Sequence, residues 1–222
     1  LTITLSNGAT IVIAAGETTG TSSAFAIQGD DPYVDGSVET LTIDSTAGGN
    51  YEQLDATDTA LVTVEDTIDA TTVSFNDPVV DEGGNITLTA TLDNPADGAL
   101  TINLDNGETI TIADGASSGS VTFLAPDDVY QGGNDFDVAI DSTSGGNFEQ
   151  LITNDVANIT VNDDLDTTTI SIDDVTVDEG SGTATIDASV DNAPETDLTI
   201  TLSNGATIVI AAGETTGTSS AF

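Results

Sequence analysis

The side chains able to do chemistry in this sequence are nearly all carboxylates. There are 39 Asp and Glu among 222 residues, and no Lys, Arg, His or Cys. They gather in three kinds of cluster. One flanks a short apolar run as Asp77, Asp81 and Glu82, echoed by Asp173, Asp174, Asp178 and Glu179. A second lies in glycine-bearing loops, as Asp30, Asp31, Asp35 and Glu39 and then as Asp127, Asp128, Asp135 and Asp137. A third occupies short junctions: Glu65, Asp66 and Asp69, then Asn162, Asp163, Asp164 and Asp166. Hard oxygen ligands on flexible loops, with neither imidazole nor thiolate, suit Ca2+ (calcium) rather than zinc or copper. The competing reading is that Asp and Asn simply make Asx turns. Pairs such as Asp127-Asp128 and Asp163-Asp164 weigh against it, because adjacent like charges repel. Paired carboxylates also serve glycosidases, but these clusters recur in every repeat, and catalytic sites are rarely copied in that way. No enzyme is expected.

The formal charge of −39 has no counter-charge within the chain. Self-repulsion of that size opposes compaction, so either the charge is spread over solvated surface or, as the clustering of the acids favours, a cation from outside the sequence offsets it. Nucleic acid is excluded as a partner, since its binding needs Lys and Arg, and so is an anionic membrane surface. No apolar run approaches the roughly 20 residues of a membrane span, and the first residues do not read as a signal peptide. The expectation is an internal fragment of a larger protein. With 37% hydrophobic residues the chain can still build cores of ordinary size.

The elements that must position the acids repeat. "LTITLSNGATIVIAAGETTGTSSAF" runs from Leu1 to Phe25 and again, unchanged, from Leu198 to Phe222, with "LTINLDNGETITIADGASSG" from Leu100 between them. The period is therefore about 98 residues, the length of one domain. Apolar residues alternate along it, as in Ile86, Leu88, Ala90 and Leu92, which is the period of half-buried strands. Strands are expected near 71–76, 86–92, 100–104, 108–113, 119–124, 135–141 and 156–162. Seven short strands in such a unit predict an all-β fold, a tandem array of immunoglobulin-like β-sandwich repeats. Asn7-Gly8, Asn106-Gly107 and Asn204-Gly205 each predict a type I′ hairpin turn. The expected divisions are 1–69, a repeat lacking its first strands; 70–166, a complete one; and 167–222, lacking its last. With an odd number of strands, all three acidic clusters can meet at the pole where the last strand ends.

The order "VDEGG … PDDVYQGGNDFDVAIDSTSGGNFEQL … ANITVNDDLD" resembles the Calx-beta and related immunoglobulin-like repeats of giant bacterial RTX adhesins exported by type I secretion. The resemblance covers essentially the whole chain. It implies extracellular extender modules on a bacterial cell surface, binding calcium at domain ends and projecting a ligand-binding tip. Carried over by position, it implies calcium ligands Glu82, Asp127, Asp128, Asp163 and Asp164, with the carbonyl of Val129. The sequence lacks the Asp-Tyr motif of the Calx-beta central strands, and Gln131 replaces a usual acid.

The leading functional expectation is thus a calcium-stabilised spacer whose partners are neighbouring repeats of the same chain. The alternative is a module that binds glycan or protein through its loops. Against it, there is no Trp and there are only three Tyr, whereas recognition surfaces favour Trp, Tyr and Arg; Tyr33, Tyr51 and Tyr130 read as packing corners. Two further expectations concern assembly. Strands in 167–197 are those that 1–69 lacks, so either head-to-tail strand complementation between copies is expected, or the chain is a window on a longer array whose other residues supply the completing strands. Without metal the acidic junctions should hinge, and with calcium they should stiffen into a rod.

Overall fold

The computed structural model describes all 222 residues, as strands and turns with no helix. The chain forms two compact units, one of residues 1–75, 89–121 and 139–156, the other of residues 76–88, 122–138 and 157–222. The first repeat contributes a single sheet, β2-β1-β3-β4, from β1 (Thr2–Leu5), β2 (Thr10–Val12), β3 (Ser37–Ala47) and β4 (Thr59–Val64).

The central repeat is a sandwich of two sheets. Its strands are β5 (Ala70–Phe75), β6 (Val79–Asp81), β7 (Asn85–Leu92), β8 (Leu100–Leu104) and β9 (Thr109–Ile112), then β10 (Ser118–Leu124), β11 (Phe136–Gly145), β12 (Gln150–Ile152) and β13 (Val156–Asn162). The sheet orders are β10-β7-β5-β12 and β6-β13-β11-β8-β9, the immunoglobulin-like arrangement in which a split first strand serves both sheets. Alternation does what period two requires. In the first unit Val73, Ala90, Leu92, Leu100, Ile102, Ile110 and Ile112 are buried; in the second, Ile86, Leu88, Val138, Ala157, Ile159 and Val161 are. Truncating any of the large ones to Ala costs about 2–5 kcal/mol.

The last repeat carries β14 (Ile170–Ile172), β15 (Asp187–Val190), β16 (Leu198–Thr201), β17 (Thr207–Ile210) and β18 (Thr216–Thr218), in sheets β14-β15-β18 and β16-β17. Its small core is Ala188, Val190, Ile208 and Ile210.

Three details differ from the sequence expectations. The first strand of the central repeat is split at Asn76-Asp77-Pro78: β5 pairs with β7, then β6 pairs in parallel with β13, Val80 opposite Val161. Pro78 has no N–H to continue a ladder, but its carbonyl accepts the Thr160 N–H at 3.0 Å. Second, β12 adds a parallel strand beside β5, Leu151 opposite Thr71; three residues are too few to show a period. Third, the Asn-Gly turns are not type I′. Gly107 has φ 89°, but Asn106 is not among the positive-φ residues. Its Oδ1 instead accepts the Glu108 N–H at 3.0 Å, and the Gly107 N–H donates to Leu104 O at 3.1 Å. That is a type I turn closed by a left-handed glycine, and Asn7 and Asn204 hold Ala9 and Ala206 in the same way.

Candidate metal centre

Three stretches meet in the second unit: the β6–β7 turn, the loop ahead of β11 and the segment after β13. Backbone bonds tie them together. The Glu82 N–H donates to Asn162 O and the Gly83 N–H to Pro126 O, both at 3.0 Å, while the Ala125 N–H donates to Gly84 O at 2.9 Å. Gly83 sits at φ 64°, and a Cβ there would lie 3.4 Å from the Asp127 carboxyl. Gly133 is placed still more tightly, since a Cβ would fall 1.7 Å from Val161 O. A side chain at 133 would push the loop off β13.

This scaffold brings one oxygen each of Glu82, Asp127 and Asp164 within 4.8 Å of one another. Calcium takes oxygens at 2.3–2.6 Å, so two ligands on opposite sides of one ion stand about 5 Å apart. The triad fits a shared calcium. Glu82 is only 5% exposed, and its Oε2 is buried without any hydrogen-bond partner. Its Oε1 accepts from Asn134 Nδ2 at 3.2 Å; the same amide donates to Asp128 Oδ2 at 3.0 Å, and Asp128 Oδ1 accepts the Tyr130 N–H at 2.8 Å.

The electrostatics follow. Burial, then Asp128, Asp163, Asp164 and Asp127, push the Glu82 carboxyl above the usual range. Burial, then Asp166, Asp127, Asp81 and Asp163, raise Asp164. Asp128 is held low, first by the Tyr130 N–H and then by Asn134. A buried carboxylate facing other carboxylates is expensive unless a cation or a proton joins it. Asp128, Val129, Asp163, Asp164 and Asp166 line an adjoining cleft of about 280 Å³.

The other expected ligands are distributed more widely. Asp135 Oδ1 accepts the Val161 N–H at 2.9 Å, and Asp81 Oδ1 accepts from Asn162 Nδ2 at 3.3 Å, so both serve the sheet. In the first unit Asp30, Asp31, Glu65 and Asp66 line a cleft of about 290 Å³ together with Glu149 of the next repeat. Asp30 accepts from Thr67 Oγ1, and Asp31 Oδ1 from the Tyr33 N–H at 3.0 Å. Asp35 is raised by burial, then by Asp31 and Asp66, while the Asp69 N–H donates to Glu149 Oε2 at 2.6 Å. That cleft has no buried counterpart of Glu82 and no equally tight triad. Asp178 and Glu179 are exposed in the last repeat and are not drawn to other carboxylates.

Sequence reasoning did not find Asn134, which bridges two of the acids, nor the work of the tyrosines. Tyr33 donates its hydroxyl to Pro95 O of the following repeat at 2.7 Å, and Tyr130 donates to Ala193 O at 2.6 Å. The recurring Asp-Asp-x-Tyr spacing was the available signal.

Residues 1–67, 69–164 and 166–222 each match the LapA domain, a domain of large adhesins. The chain belongs to the LapA domain family. Membership makes it a repeat module of the adhesin type and points to the cell surface; no helix is long and apolar enough to cross a membrane. Among solved structures, the I9-I11 tandem from titin is similar over 84% of this LapA chain and 83% of its own, at 7% identity and a TM-score of 0.28, too slight a likeness to carry an argument. A search among curated proteins finds no match.

Proposed function

We propose that this LapA chain is a calcium-stabilised extender segment of a bacterial RTX-type adhesin, holding a distal ligand-binding region away from the cell. The observation that carries the reading is Glu82: a buried carboxylate with an unpartnered Oε2, set against Asp127 and Asp164 in a chain without a cationic side chain. A calcium ion held by these three residues, with Asp128, Asp163 and the Val129 carbonyl close by, supplies the missing charge and joins three loops that otherwise repel. The role is mechanical, and no turnover is involved.

Thermal melting in chelator, in millimolar calcium and in millimolar magnesium tests this. Each site occupied at tenfold excess over its Kd adds about 1.4 kcal/mol. Calcium should raise the melting temperature by several degrees. Magnesium should do much less, because it demands a tight octahedron and holds its waters. Equal melting in chelator and calcium would remove the proposal.

A further inference from the structure

We propose that the Asp-Asp-x-Tyr loop, present in the first and central repeats, is a latch for the next LapA repeat, gripping it at two points and holding the joint without a metal. The joint between the first and central repeats shows the complete grip. Tyr33 reaches Pro95 O with its hydroxyl at 2.7 Å, and its ring lies against Phe148 with centroids 5.8 Å apart. Around that ring contact runs a short antiparallel bridge, Tyr33 opposite Phe148: the Val34 N–H donates to Asn147 O and the Glu149 N–H to Pro32 O, both at 3.0 Å. The receiving turn is preformed, with Asn147 in the left-handed region at φ 51° and its Nδ2 fixed on Asp97 Oδ2 at 2.8 Å. The bridge itself is made by backbone N–H groups on backbone carbonyls, and the one carboxylate in the grip, Asp97, accepts from a neutral amide.

The joint after the central repeat repeats the hydroxyl contact of the same grip. Asp128 holds the Tyr130 N–H as Asp31 holds that of Tyr33, and the Tyr130 hydroxyl sits on Ala193 O, the counterpart of Pro95 O. The receiving turn recurs as Gly-Gly-Asn-aromatic-Glu, written as Gly145 to Glu149 in the central repeat and as Gly48 to Glu52 in the first. In the first repeat Asn50 already stands at φ 53°, with Tyr51 59% exposed. The joint at Tyr33 should be metal-independent.

Amide hydrogen exchange on the whole chain, in chelator and in calcium, reads this directly. The Val34 and Glu149 amides should be protected in both conditions. Tyr33→Phe keeps the ring and removes one hydrogen bond, so it should speed exchange at both amides about fivefold to tenfold, with Leu92 in the sandwich unchanged. Fast exchange of Val34 and Glu149 in wild-type protein in chelator overturns the latch. So does a Tyr33→Phe protein that exchanges at the wild-type rate, or one in which Leu92 accelerates equally. The chelator result stands apart from the calcium reading, which fails on the melting test alone.

Discussion

At the scale of single residues, Glu82 should behave oppositely with and without calcium. Glu82→Gln removes a buried charge while keeping the shape, so it should raise the melting temperature in chelator and lower it, relative to wild type, in calcium; a shift of the same sign in both would contradict the assigned role. Acidity gives a second check. Glu82 and Asp164 are held above the usual carboxylate range by burial and by neighbouring acids. A carboxyl raised in the folded state contributes stability that is present below its unfolded pKa and lost as pH rises through the folded one. In chelator, melting temperature should therefore climb as pH falls from neutrality toward the ordinary carboxylate range. Asp128, held low, works the other way, its contribution being lost as pH falls through its folded value. In calcium the climb should vanish, because protons then compete with the ion. A flat melting profile in chelator would count against a strained Glu82.

At the scale of elements, the loop ahead of β11 depends on its fit against β13. Gly133→Ala places a methyl 1.7 Å from Val161 O, which should cost about 1–3 kcal/mol and weaken calcium binding by moving Asp127 and Asn134; calorimetry on the variant checks it, and unaltered affinity would show that the loop adjusts freely. The sequence was legible where a strand is long and one face is buried: β7, β8, β9 and β10 lie within a residue or so of the expected spans. It was mute for β6 and β12, whose three residues each are chosen by parallel neighbours. One segment shows why. Thr215 to Phe222 repeats Thr18 to Phe25 letter for letter, yet Thr216–Thr218 forms β18 against β15, while the earlier copy makes only the bridge between Ile11 and Ser22. The residues are the same and the available partner differs, which is how strand propensity yields to context. Likewise the three acidic clusters and their common pole could be read from spacing, but which carboxylate loses its solvent could not.

At the scale of the whole molecule, the −39 charge has two separable parts. Exposed acids are screened over about 10 Å at 0.1 M salt, so sodium chloride should stabilise the chain gradually. The buried site should still respond to calcium at matched ionic strength, and small-angle scattering should give a larger maximum dimension in calcium than in chelator if the joint at Tyr130 stiffens. The expected pairing of copies makes its own prediction. Ile170 is 48% exposed where its counterpart Val73 is fully buried, and Leu61 and Val38 stand 68% and 63% exposed on the first sheet. Sedimentation equilibrium should show self-association rising with concentration, and a monomer throughout would exclude it.

The three Asn-Gly turns bear on how long such a chain lasts. In a loose chain that dipeptide ages by deamidation: the glycine nitrogen attacks the asparagine side-chain amide carbon, ammonia leaves as a five-membered imide closes, and water opens the imide to a carboxylate. In the turns at Asn7, Asn106 and Asn204 that nitrogen is occupied, donating to the carbonyl of Leu5, Leu104 or Leu202, while the amide oxygen holds the N–H two residues on. Folding thus shields the sites where an exposed surface protein would first decay, and any condition that loosens these hairpins should start a chemical clock legible by mass spectrometry as a gain of one mass unit per turn.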